Sequence, residues 1–189
     1  IPSVSLSGDE GAILLAMLEG GPVTAHLVVD CIYGESYSQN IIGTLPGHDP
    51  SQGIVYMGAH YDSVWFGPGA NDNASGLGCL LEAARVLTTK GHKTKATIKF
   101  IAFGAEEAGL VGSDDYVTVN NEEVTTQGLG MVNLDMVGVG DTLLLGNIGW
   151  WPWSYPELAE YAQEKAELMG IESWAAAAMS PNSDHAYFE

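Results

Sequence analysis

Three apolar runs, each closed at once by a histidine or an acid, constrain this chain more than any other feature. Residues 53–58 lead into G-A-H-Y-D-S-V, with His60 and Asp62. Residues 96–103 lead into G-A-E-E-A-G-L-V-G-S, with Glu106 and Glu107, and residues 129–134 close on Asp135 in N-L-D-M-V-G. Short apolar runs bounded by turn residues read as buried strands, and the pattern L-G-C-L-L-E-A-A-R-V-L at 77–87 reads as a helix between two of them. Strands alternating with helices predict an α/β sheet covered on both faces. The polar closures then fall at the carboxyl edge of a largely parallel sheet, where open α/β folds place ligand sites.

The rest of the map is consistent with that frame. Residues 23–33 and 37–45 are expected to form an antiparallel strand pair joined at Gly34-Glu35-Ser36. A helix is expected at 110–120, a strand at 142–145, and the best amphipathic helix at 156–169, with Pro156 near its start and Gly170 just past its end. Residues 1–22 stand apart. I-P-S-V-S-L reads as a short strand, Ser7 with Glu10 as a capping box, and residues 12–18 as an apolar helix stopped by Gly20-Gly21-Pro22.

Composition narrows the function. At 189 residues and 46% hydrophobic content the chain can build one sizeable core, not two full domains. No apolar run approaches the roughly 20 residues that cross a bilayer. Lys and Arg number 6 against 24 Asp and Glu, a formal charge of −18. Such a surface repels phosphate backbones and anionic lipid, so nucleic acid and membrane partners are not expected; metal ions and free amino groups are. Much of that charge also serves solubility. Cys31 and Cys79 form no C-x-x-C pattern and imply neither a zinc finger nor a disulfide framework. Starting at Ile1, without Met or signal peptide, the chain reads as beginning inside something larger.

Each motif offers part of a two-metal site. A ligating imidazole usually donates its other N–H to a carboxylate, and Asp62 stands two residues from His60; alone, His60 would equally suit ordinary hydrogen bonds. Asp72 lies in G-P-G-A-N-D-N-A-S-G, a loop able to project one carboxylate between two cations, or else an Asx turn with Asn73 or Ser75 as helix cap. Adjacent Glu106 and Glu107 repel each other unless a cation binds one, leaving the other to take a proton; an acidic helix start is the competing reading. Asp135 is an isolated charge in an apolar strand, and buried carboxylates are rarely tolerated without a cation. Two divalent ions, the carboxylates of Asp72, Glu107 and Asp135, and one hydroxide sum to a neutral core.

In this order, H-Y-D-S, F-G-P-G-A-N-D-N-A-S-G, E-E-A-G-L-V-G-S and N-L-D-M-V-G resemble the co-catalytic double-zinc aminopeptidases of peptidase family M28. Residues 1–22 resemble the end of a protease-associated domain, and 23–189 the catalytic domain without its C-terminal part. The resemblance implies a three-layer α/β/α sandwich of the zinc-exopeptidase, phosphorylase/hydrolase-like type, with a mixed, largely parallel sheet. It implies that His60 and Asp135 hold one zinc, Glu107 the other, and that Asp72, followed by a cis peptide, bridges them. Glu106 would be the general base acting on a zinc-bridged hydroxide, with Asp62 supporting catalysis beside it. The substrate would be a peptide whose free N-terminus is anchored near Glu106 and Asp135, and the compartment secreted or extracytoplasmic.

The family's second terminal histidine is not matched before Glu189. His185 lies in S-D-H-A-Y-F, which matches an earlier family segment, while His26, His48 and His92 read as surface residues. The chain is therefore expected to be a fragment, with one of its two zinc sites weak or empty and its activity impaired. A glutaminyl-cyclase-like or carboxypeptidase-like relative and a non-catalytic binding module stand as alternatives. The cluster G-W-W-P-W, with Trp151 at its centre, reads either as an apolar wall of the substrate pocket or as packing against other parts of the protein.

Overall fold

In a computed structural model the chain is described at residues 4–30, 34–89, 91, 93–146, 156–176 and 181–188. Trp151 and its neighbouring tryptophans lie outside the described residues. Two compact units divide between Tyr37 and Ser38, later in the chain than the break after residue 22 that the sequence suggests.

The first unit carries helix α1 (Gly8–Glu19). Its start is the expected capping box: Ser7 Oγ accepts from the Glu10 N–H, and the Glu10 carboxylate accepts from the Ser7 N–H at 3.1 Å. Among the described residues the strands expected on either side are absent, and of the strand expected at 37–45 only Ile41–Leu45 forms. Val4–Leu6 and residues 23–30 and 34–40 are irregular, although their β-branched residues suit a strand, because a strand persists only where another pairs with it.

The second unit holds β1 (Ile41–Leu45), β2 (Ile54–His60), α2 (Ala74–Thr89), β3 (Thr97–Phe103), α3 (Val111–Val119), α4 (Asn121–Gln127) and β4 (Gly128–Asn133). The sheet order is β1-β3-β2-β4. β2 pairs in parallel with β3 and β4, while β1 runs antiparallel to β3 with Ile42 opposite Ile101. A second, two-stranded parallel sheet joins β5 (Leu143–Gly146) to β6 (Ser173–Ala176) through α5 (Pro156–Leu168). α4 and β6 were not expected from the sequence; each is short and without strong periodicity.

Strand alternation sorts the core into two layers, one on each face of the sheet. Ile54 and Tyr56 of β2 and Ile101 and Phe103 of β3 pack on Tyr116 of α3. Ala59, Ile98 and Phe100 point the other way, onto Leu80 of α2. The three-layer α/β arrangement is thus the one expected. Full burial of such a side chain contributes about 1.5–3 kcal/mol. One charge enters the first layer: Lys99 Nζ meets both Glu123 oxygens at 2.6 and 2.7 Å, and Tyr56 and Tyr116 donate to Glu123 Oε1 at 3.2 and 3.3 Å. Burial and the Glu123 charge push both phenols above the usual tyrosine range.

Candidate metal centre at the carboxyl edge

The three parallel strands end where the sequence places its polar motifs. β2 ends at His60, β3 delivers Glu106 and Glu107 within four residues of Phe103, and β4 delivers Asp135 two residues after Asn133. Sharp backbone turns follow: Ala105, just before Glu106, and Met136, just after Asp135, have φ of +58° and +52°. Side chains with a Cβ rarely adopt this region, which costs on the order of 1–3 kcal/mol and clusters at functional sites.

His60 is the hub. Its imidazole is 1% exposed, and Nε2 lies 3.1 Å from Asp72 Oδ1, 3.5 Å from Asp135 Oδ1 and 3.9 Å from Glu106 Oε2. One N–H cannot serve three carboxylates. Burial lowers the imidazole's proton affinity, but the Asp135 hydrogen bond and the Glu106, Asp135 and Asp184 charges outweigh it and lift the pKa to about 9. Without an ion, a proton on His60 supplies the positive charge that the cluster needs. Asp135 Oδ1 is buried, with His60 as its neighbour and no hydrogen bond of good geometry. One histidine and two aspartates whose donor atoms lie within 4.8 Å of one another fit a divalent cation, and an N,O donor set suits zinc.

Asp72 owes its place to a dense set of bonds. The Asp72–Asn73 peptide is cis, as the resemblance implies. Asn73, 1% exposed, occupies the helix-cap position before α2: its Oδ1 accepts from the Gly76 N–H at 3.0 Å and from the Met136 N–H at 3.3 Å, while its Nδ2 donates to Leu134 O at 2.9 Å. Asn71 Oδ1 accepts from the Gly138 N–H, and Ser75 Oγ from the Val137 N–H. The helix-cap reading holds at Asn73, and Asp72 is left to face His60.

Asp62 differs from its expected role. His60 Nδ1 lies 3.1 Å from the backbone carbonyl of Asp62 and 3.5 Å from its carboxylate. The carboxylate oxygens instead accept the backbone N–H groups of Glu106 and Glu107, at 3.1 and 3.2 Å. Asp62 ties the glutamate turn to the end of β2. Glu107 stands apart from the His60 group: its Oε1 accepts from the Val64 N–H at 3.1 Å. Glu106, with a side chain 10% exposed, faces His60. Burial raises its carboxyl, the His60 charge opposes this, and Asp184, Asp135 and Glu107 push it up again, to about 7.

Two contributors escaped the sequence reading. Ser183 Oγ donates to Asp135 Oδ2 at 2.6 Å and accepts from Asn133 Nδ2 at 2.7 Å. Burial and these bonds pull Asp135 in opposite directions; the His60 and Ser183 hydrogen bonds and the His60 charge win, leaving it below the usual carboxylate range. Asp184, fully buried in the 3-10 turn Asp184–Tyr187, has neither oxygen in a hydrogen bond of good geometry. Burial lifts it to about 6, despite lowering contributions from Ser113 and His60. The only local trace of Asp184 in the sequence is its place beside His185 in S-D-H-A-Y-F, which does not mark it as buried.

Fold and cluster together define an α/β protein with a candidate metal centre at the carboxyl edge of its sheet. Comparison with known proteins makes this specific: residues 40–189 match the model of peptidase family M28, and the chain belongs to that family. It is 45% identical over 139 residues to aminopeptidase YwaD of Bacillus subtilis (strain 168), covering 73% of this chain and 29% of that protein. To an aminopeptidase of Pseudomonas aeruginosa it is 36% identical over 138 residues, 73% of this chain and 25% of the other. Among solved structures, BSAP, a zinc aminopeptidase from Bacillus subtilis, superimposes with a TM-score of 0.69 at 40% identity, over 80% of this chain and 37% of that one. An aminopeptidase from Aneurinibacillus sp. strain AM-1 gives 0.67 at 31% identity, over 96% and 44%. The chain thus spans less than half the length of these relatives.

Proposed function

We propose that this chain is the metal-binding core of an aminopeptidase, which removes N-terminal residues from peptides with the help of zinc. The observation that carries the reading is the buried His60 imidazole facing Asp72, Asp135 and Glu106 at the sheet edge. Relatives named as aminopeptidases share the family and this portion of the chain. The activity of the whole protein is inferred from them.

In this reading His60, Asp72 and Asp135 hold one zinc ion. Asp72, whose side chain remains 44% exposed, could also serve a second ion, for which Glu107 would supply another carboxylate. Bound zinc would polarise the scissile carbonyl and lower the pKa of the attacking water. Glu106, whose side chain is 10% exposed and faces His60, would accept a proton from the attacking water and return it to the leaving amine. Glu106 and Asp135 also present negative charge to the substrate's free α-amine. Asp62 acts through the backbone, holding the Glu106-Glu107 turn against β2.

The test is metal analysis and hydrolysis of leucine amide by the full-length protein that contains this chain. Glu106→Gln should keep its zinc and lose about 10²- to 10⁴-fold in rate, the usual size of a general-base contribution. A zinc-loaded protein that cleaves no substrate with a free N-terminus would refute the aminopeptidase reading.

A further inference from the structure

Beside the candidate centre lies an open cleft of about 530 Å³ between the loops that follow β2 and β3. Val64, Trp65, Phe66 and Ala108 supply apolar surface to it, and Asp62 and Glu107 are also among its lining residues. Trp65 is 93% exposed and Phe66 76%, an unusual amount of aromatic surface to leave in water. Their presentation is ordered. The Gly67 N–H donates to Val64 O at 3.0 Å, closing a tight turn that carries Trp65 and Phe66 at its two central positions, with the rings edge-to-face at 5.6 Å. The same turn is tied to the centre, because the Val64 N–H holds Glu107 Oε1 at 3.1 Å.

We infer that this cleft is a subsite for the residue that follows the scissile bond, and that it selects an aromatic side chain there. The inference rests on the aminopeptidase reading for the direction in which the substrate lies. Of the two acids that face the α-amine in that reading, Glu106 after β3 also serves the scissile bond, whereas Asp135 follows β4; the cleft opens between the β2 and β3 loops, and in the order β3-β2-β4 it lies on the side of His60 opposite Asp135. A peptide whose amine is fixed at Asp135 and whose first bond lies at His60 runs on toward Glu107 and the cleft. An aromatic ring there meets Trp65 and Phe66, and offset or edge-to-face packing adds about 0.5–1.5 kcal/mol beyond the area buried. An acidic side chain meets Asp62 on a chain of net charge −18 and is repelled.

Binding can be read apart from turnover, by calorimetry on the zinc-loaded full-length protein carrying Glu106→Gln. The probes are the amides of Leu-Phe, Leu-Gly, Leu-Glu and Phe-Gly. Leu-Phe should bind about tenfold tighter than Leu-Gly, the factor that 1.4 kcal/mol supplies, and Leu-Glu weakest of all. Adding Trp65→Ala, or separately Phe66→Ser, should bring Leu-Phe to within about twofold of Leu-Gly. Equal binding of Leu-Phe and Leu-Gly, or a contrast that survives both substitutions, overturns the subsite. A preference that follows the first residue, with Phe-Gly the tightest, overturns its placement. If the contrast stands and the protein without Glu106→Gln hydrolyses no leucine amide, the subsite is retained and the aminopeptidase reading alone fails.

Discussion

The side-chain amide of Asn73 donates to the backbone carbonyl of Leu134 at 2.9 Å, joining residues 61 apart in the chain. Each is the immediate neighbour of a candidate ligand, Asp72 in one case and Asp135 in the other. The spacing of the two carboxylates around His60 is therefore set by a neutral amide that never touches the cation. Gly76 belongs to the same joint: a Cβ there would meet Leu134 O and Asn73 Oδ1.

Asn73→Ala removes three hydrogen bonds at a buried position and leaves Leu134 O without its side-chain partner. Stability should fall by about 1–3 kcal/mol, the penalty for an unsatisfied buried group. Zinc affinity should fall about 10- to 100-fold, as when groups supporting a ligand are lost. Gly76→Ala should do both by displacement rather than deletion. Urea midpoints and zinc titrations check this, and unchanged affinity in both variants would count against the joint.

Ser183→Ala tests the other side of Asp135. The hydroxyl donates at 2.6 Å and sits in a network with Asn133. Its loss should weaken zinc binding about 10-fold or more while the fold persists. Ser183→Thr retains a hydroxyl and should recover part of the affinity.

Chelation should weaken the fold itself. Without an ion, the carboxyls of Asp72, Glu106 and Asp135 crowd one imidazole. An ion that binds only the folded chain, present at a hundredfold its dissociation constant, stabilises by about 2.7 kcal/mol. Urea midpoints measured in chelator and in zinc should differ accordingly, and coincident midpoints would show that no ion binds.

The Lys99–Glu123 pair predicts a distinct acid response. Burial raises the Glu123 carboxyl, but the Lys99 hydrogen bonds and charge, with the two tyrosines, bring it below its usual value. A folded pKa below the unfolded one means that the pair's stabilisation is complete above the ordinary carboxylate range. It is lost as pH falls through the lower folded value. At pH 7, Glu123→Gln should cost about 1.5–3 kcal/mol, typical of a charge-assisted bond, and the gap from the unsubstituted protein should close in strong acid. Both side chains are mostly buried, 18% and 27% exposed, so salt should screen the pair little.

What the sequence made legible, and what it hid, follows from how local each signal is. His60, Glu106 and Asp135 were readable because each ends an apolar strand, and strand plus closing acid is contained in a few residues. Asp62 was readable as a neighbour of His60 but not as the acceptor of the Glu106 and Glu107 N–H groups, since that contact crosses from one strand end to the next. Ser183, and the bond from Asn73 to Leu134, were hidden for the same reason. Their partners lie far along the chain, and Ser and Asn are common in loops that do nothing of the kind. The strand expected at 23–33 shows the opposite failure. Its described part, residues 23–30, has strand composition and is irregular, because composition says nothing of a partner.

The 48 residues between Asp135 and Ser183 also set an order of arrival during synthesis. At about 5–20 residues per second, Asp135, the last of the three candidate ligands to be made, leaves the ribosome roughly 2–10 seconds before the hydroxyl that orients it. Asp135 therefore waits for its hydroxyl partner until the segment around Ser183 has been made.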